Sequence, residues 1–222
     1  MLRRIVSTLL LAAAVVFGLP ASAQEAPPAD GVIVLPPITA GGTRFYTPIA
    51  VPNTYDIGPS DPEGLRQKIG ETVRRCLTIS GYFNVYGPDR YYFDPSNEGM
   101  IASTIDFQRW YNVGASALIK TAFAHTGNQV ALDFRLYSVE SSEEINIGYS
   151  NRTVPRDRVD REIYEFVNLV IRHYTGSPGV FGSRIAYTGR NANNLKQIYV
   201  TGMDGVFVSP VTNNGSINIL PR

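Results

Sequence analysis

Tyr174-Thr175-Gly176-Ser177-Pro178-Gly179-Val180-Phe181-Gly182-Ser183-Arg184-Ile185-Ala186-Tyr187 is the stretch on which the reading of this chain turns. Upstream of it, helix-period and strand-period segments alternate, as in a compact α/β domain. Downstream come only short strands and tight turns, as in an all-β repeat. Gly176, Gly179, Gly182 and Pro178 turn the corner, and Phe181 is placed to pin it.

Immediately before the junction, Asp157 to Tyr174 reads as a long helix whose buried stripe is Val159, Ile163, Phe166, Val167, Val170, Ile171 and Tyr174. Before that lies the clearest hairpin in the chain, Ala117–Ala124 and Gln129–Val139. It turns through His125-Thr126-Gly127-Asn128, and a third strand is predicted at Ile145–Tyr149. Thr104 to Tyr111 predicts a short helix stopped near Gly114, with Trp110, the single tryptophan, as a core anchor. Tyr91 to Gly99 reads as a loop and Tyr82 to Tyr86 as a strand.

Further back, Ser60-Asp61-Pro62-Glu63 carries the chemistry of a helix start. Leu65, Ile69, Val73, Cys76 and Leu77 then recur at helical spacing until Gly81. Cys76 falls on that apolar stripe and reads as a small core hydrophobe. Phe45 to Val51 predicts the opening strand of the domain. The resulting order predicts an α/β (α+β) fold: a mixed β-sheet with its helices, two of them long, packed on one face. After the junction, strands are predicted at Arg184–Thr188, Gln197–Val200, Val206–Val208 and Ile217–Leu220, with a turn at Met203-Asp204-Gly205. Short strands over residues 183–222 match one β-propeller blade, and one blade cannot close a ring, so the blade reads as incomplete.

The N-terminus carries targeting information. Leu2-Arg3-Arg4 is a positive n-region, an apolar run follows to Leu19, and Ala21-Ser22-Ala23 supplies the cleavage pattern. Residues 1–23 are therefore expected to be a cleaved signal peptide, and the destination is periplasmic in a cell with two membranes. Residues 24–43 read as a flexible arm that begins with a Pro/Ala-rich stretch. Within the arm, Val32-Ile33-Val34-Leu35-Pro36-Pro37-Ile38 is a β-branched run closed by prolines. It is either an edge strand of its own sheet or a free strand for a partner's sheet edge. The division expected is thus signal peptide 1–23, arm 24–43, α/β domain 44–180 and blade 181–222.

Charge is balanced, with 20 Lys+Arg against 19 Asp+Glu, and removal of Arg3 and Arg4 with the signal reverses its sign. No long-range field points to nucleic acid or an anionic membrane. The sequence contains no G-x-S-x-G, phosphate loop, dinucleotide fingerprint or H-E-x-x-H, and no metal-ligand spacing. Its two histidines, His125 and His173, fall in a predicted turn and a last helical turn. The acids Asp157, Asp160 and Glu162 beside Arg156, Arg158 and Arg161 read as dipole complementation on a solvated face. No catalytic residue, cofactor or metal site is assigned.

Pro48-Ile49-Ala50-Val51-Pro52, the passage Ser80-Gly81-Tyr82-Phe83-Asn84-Val85, and Trp110 followed by Val113 to Ile119 occur in that order ahead of the junction. Together with the junction, and behind a signal peptide, these segments resemble the TolB family, the periplasmic component of the Tol-Pal envelope system. The resemblance implies an N-terminal α/β domain followed by a propeller, and no enzymatic activity. It implies binding to the inner-membrane partner TolA through the N-terminal arm and to the lipoprotein Pal through the propeller. By position, the arm contact is expected at Val32, Ile33, Val34, Leu35 and Ile38. The expected role is an adaptor joining inner- and outer-membrane components, serving envelope integrity, cell division and import of macromolecules. Other readings of the residues are a fragment of a secreted propeller-bearing hydrolase and a generic periplasmic scaffold.

Overall fold

The structure, a computed structural model, describes residues 46–58 and 64–219, all of which fall within the compact unit Arg44–Arg222. The signal segment 1–23, the arm 24–43 and the helix-start residues Ser60 to Glu63 lie outside the described residues.

Strand β1 (Thr47–Ala50) lies between β3 (Phe83–Tyr86) and β4 (Ala117–Thr126), parallel to both. Ile49, Ala50 and Val51 are fully buried, which is why this stretch reads as an unbroken apolar run rather than an alternating one. Beyond it, β2 (Tyr55–Asp56) rejoins the same flank of β4, pairing in parallel at Tyr55↔Ala122. The predicted hairpin is present as β4 and β5 (Gln129–Ser138), paired from Ala117↔Ser138 to Thr126↔Gln129. Only Gly127 and Asn128 remain for the turn, and Gly127 takes φ 58, as a II′ turn asks of its first central residue. His125, expected in that turn, instead pairs with Val130 inside the ladder.

The outer flank of β5 is covered by β6 (Glu143–Glu144) and β7 (Arg152–Pro155), both antiparallel. The strand expected at Ile145–Tyr149 does not form. Asn146 accepts the Gly148 N–H through its side chain and Gly148 takes φ 79, which breaks the extended run. Its apolar residues still serve the core: Ile145, Ile147 and Tyr149 pack against it, and Tyr149 stacks on Phe134.

Helices α1 (Leu65–Ser80) and α3 (Val159–Thr175) pack side by side on one face of this sheet. The short helix α2 (Phe107–Val113) lies on the other face, a departure from the single helical layer expected. Strand alternation explains the division. Ile119 and Phe123 point into the core beneath α1 and α3, whereas Leu118 and Tyr137 point to the cluster around Trp110. The apolar stripe of α3 is fully buried at Ile163, Phe166, Val167 and Val170, each contributing on the order of 2 kcal/mol of transfer free energy.

Past the junction, β8 (Arg184–Arg190), β9 (Lys196–Gly202) and β10 (Val208–Pro210) form a separate antiparallel sheet ordered β10-β9-β8. The strand expected at Val206–Val208 begins at Val208, because Val206 donates its N–H to the Asp204 carboxylate and stays in the turn. Ile217 to Ile219 forms no ladder. That segment is held instead by Gln197, 1% exposed, whose amide donates to the Asn214 and Ser216 carbonyls and accepts from Thr212 and Asn218. The architecture is α/β, a mixed sheet with two main helices on one face, followed by a separate three-stranded antiparallel sheet of the kind expected for propeller strands.

Candidate functional site

The junction is assembled by α3. Phe181, 5% exposed, drops into the core and stacks on Tyr164 with ring centroids 6.5 Å apart. Asn168, on the flank of α3, mimics a strand. Its Nδ2 donates to the Phe181 carbonyl at 2.9 Å and its Oδ1 accepts the Phe181 N–H at 3.0 Å. Gly179 makes this possible: a Cβ there would stand 2.2 Å from Asn168 Oδ1 and 2.7 Å from Asn168 Cα. The glycine is required for close approach, not for turning.

The second tie is Asp204 in the turn after β9. Its carboxylate, 5% exposed, accepts from the Tyr164 hydroxyl of α3 at 2.6 Å and from Arg75 Nη2 of α1 at 3.2 Å. It also accepts the Val206 N–H at 3.3 Å. Burial pushes the Asp204 carboxyl up, but hydrogen bonds from Tyr164, Val206 and Arg75, with the Arg75 charge, outweigh it and hold the group below the ordinary range. The Tyr164 hydroxyl is raised, first by burial and then by its bond to Asp204. Asp204 thus ties the second sheet to both long helices through one carboxylate.

A groove of about 880 Å³ runs between α3 and the second sheet. Leu169, Phe181 and Phe207 are among its apolar lining, and Arg161, Arg172 and Arg184 among its charged residues. Across Asp204 a smaller recess of about 350 Å³ faces α1, beside the exposed Lys68–Asp160 ion pair at 2.9 Å.

A second polar cluster lies under the segment 88–104 on the α2 face. Lys120, with no exposure, donates to Glu98 Oε2 at 3.1 Å and to the Tyr55 hydroxyl at 2.8 Å. Trp110 Nε1 donates to the same Glu98 oxygen at 3.0 Å. The Tyr55 hydroxyl in turn donates to the Pro95 carbonyl, and the Tyr137 hydroxyl to the Met100 carbonyl. Burial pushes the Lys120 ammonium down, with Glu98 opposing. Burial also raises the Tyr55 hydroxyl, helped by the Glu98 and Asp94 charges. This arrangement clamps an irregular segment onto the sheet.

The remaining candidates fall into structural places. Cys76 is fully buried, and burial pushes its thiol up to about 12. Trp110 is a core residue as well as a donor. His125 stacks on Phe123 and His173 packs edge-on against Tyr174; among the described residues neither hydrogen-bonds a serine or cysteine. Of the acids near the start of α3, Asp160 pairs with Lys68 and Glu162 with Arg152, which also holds Glu165 at 2.8 Å. Among the described residues no group of three or more His, Cys, Asp or Glu is placed to hold a metal, and no helix is long and apolar enough to cross a membrane. Val32, Ile33, Val34, Leu35 and Ile38 lie outside the described residues. The Asp204 and Lys120 clusters were not singled out in the sequence. The one signal for Lys120 is a lone cation inside the apolar run Ala117 to Ala124.

Residues 37–145 match the family described as the TolB amino-terminal domain. A Tol-Pal system protein TolB of Geobacter sulfurreducens is 30% identical over 184 residues, 83% of this chain and 41% of that protein. One of Myxococcus xanthus is 34% identical over 190 residues, 84% of this chain and 42% of that protein. The chain therefore spans about two fifths of the length of these relatives. In three dimensions, the crystal structure of TolB from Acinetobacter baumannii superposes with a TM-score of 0.56 at 20% identity, over 76% of this chain and 39% of that one. The fold, the matched domain and the relatives agree: residues 37–145 belong to the TolB amino-terminal domain family, and the chain is a relative of the Tol-Pal system proteins TolB.

Proposed function

We propose that this chain is a non-catalytic periplasmic adaptor of the Tol-Pal type, exported by a cleaved signal peptide and acting by protein–protein binding. The observation that carries this reading is the match of residues 37–145 to the TolB amino-terminal domain, joined to relatives named as Tol-Pal system proteins over more than four fifths of the chain. The division into arm, α/β domain 44–180 and blade 181–222 belongs to the same proposal. Two separate sheets meeting at Gly176 to Ser183 support it. In this reading the arm, through Val32, Ile33, Val34, Leu35 and Ile38, adds a strand to TolA. Propeller strands of the kind begun by β8 to β10 face Pal. The adaptor links inner- and outer-membrane components and so supports envelope integrity, cell division and macromolecular import.

The test is capture of the mature chain by the periplasmic domain of TolA, with and without residues 24–38. Binding by the longer form and loss of binding on deletion is the expected result. Equal binding by both forms, or none by either, removes the arm from the proposal.

A further inference from the structure

The contacts between the second sheet and the helices fall in two places of opposite character. Up to Phe181 the chain is part of the first layer, since Asn168 holds both backbone groups of Phe181 and Gly179 packs on the Asn168 backbone. Gly182 follows at φ 89, and a Cβ placed there would meet nothing closer than 3.8 Å. From Ser183 onward the chain belongs to the second sheet, because the Ser183 carbonyl accepts the Met203 N–H at 3.1 Å and so joins the start of β8 to the turn after β9. That turn then returns to the helices through the Asp204 carboxylate, with Arg75 from α1 and Tyr164 from α3 as donors, while Met203 packs against the core.

We infer that Gly182 is a swivel and Asp204 its latch. With the Asp204 carboxylate engaged, the second sheet is held against α1 and α3; with it released, the sheet turns about Gly182 and opens the groove along α3. The hydrogen bonds that span Gly182 run from the Ser183 N–H and hydroxyl to the Val180 carbonyl. Val180 and Ser183 are exposed, so water replaces those bonds at small cost. The Asp204 carboxylate is itself buried, and one that loses its donors there is left unsatisfied. The latch is thus the contact that decides the position of the sheet.

The test uses the full chain with spin labels at His173→Cys and Thr188→Cys, both exposed sites, one on α3 and one on β8. The native Cys76 is buried and does not label. Asp204→Ala is expected to broaden the interlabel distance distribution about twofold, the behaviour of a released hinge. Tyr164→Phe and Arg75→Met, each removing one donor, should broaden it less. Trp110 is on the far face of the first sheet and reports its folding independently. A broadened distribution with unchanged Trp110 emission supports the latch. An unchanged distribution in Asp204→Ala overturns it. If Asp204→Ala shifts the Trp110 emission, the single-donor variants decide: broadening in either supports the latch, and narrow distributions in both overturn it.

Discussion

Lys120 sits on β4 with no exposure, and what keeps its ammonium tolerable there is Glu98, seven per cent of whose side chain is exposed. An ion pair in such a place contributes little net stability, yet removing one partner leaves the other stranded. Lys120→Met is therefore expected to lower the unfolding free energy by about 3–5 kcal/mol. Combining it with Glu98→Gln, which keeps an acceptor for Trp110 Nε1, should recover much of the loss. Urea titration followed through Trp110 measures both, and an additive double variant would show that the two residues do not act as a pair. Asp204 makes a different case. Its folded carboxyl titrates below the ordinary range, so the unfolded chain binds the proton first on acidification. The stability Asp204 contributes is complete above the ordinary carboxylate range and is lost as pH falls through that range to the depressed folded value. Asp204→Asn should flatten the fall of stability over that acidic interval, by at most about 1.4 kcal/mol per pH unit. An unchanged slope in pH-dependent urea titrations would mean that the carboxylate carries no such linkage.

Among the elements, the junction shows that neighbouring glycines serve different ends. At Gly179 a methyl group meets the Asn168 backbone, which α3 cannot withdraw, whereas at Gly182 it meets only the Tyr164 side chain, at ordinary van der Waals distance, but an unfavourable φ. Gly179→Ala is expected to cost roughly 3 kcal/mol through forced displacement, and Gly182→Ala about 1 kcal/mol through strain alone. Equal losses in denaturant titration would remove the distinction. The sequence marks both as corner glycines because it displays turning residues, not the Asn168 residue that packs on Gly179 from eleven positions upstream. The same limit explains the rest of the comparison. α1, α3 and the hairpin were legible because each repeats its own apolar period over many residues. The Ile145–Tyr149 segment has the alternation of a strand, but a local Asn146–Gly148 hydrogen bond overrides it. The position of α2 on the second face was not legible, since it depends on which way Leu118 and Tyr137 point in the assembled sheet. The Asp204 and Lys120 clusters join residues 129 and 22 positions from their partners, beyond any local pattern.

On the scale of the whole molecule, the two sheets have unequal cover. The first is enclosed by helices on one face and by α2 with its aromatic cluster on the other. The second shows Ile185, Tyr187, Val206, Phe207 and Val208 at 37–63% exposure, and β8 pairs on one side only among the described residues. An edge of unpaired backbone groups beside exposed apolar side chains is a template for another strand. Self-pairing of β8 in antiparallel register sets Arg184 against Arg190, and like charges opposed across a pair are destabilising. Association through this sheet should therefore be driven by its apolar face rather than by its edge. Ile185→Lys with Val208→Glu is expected to lower the apparent mass of the chain in concentration-dependent light scattering, while Arg184→Ser with Arg190→Ser raises it by relieving the opposed charges. A mass that neither pair of substitutions changes would locate self-association elsewhere, and a fall with the arginine pair would show that those cations attract rather than guard.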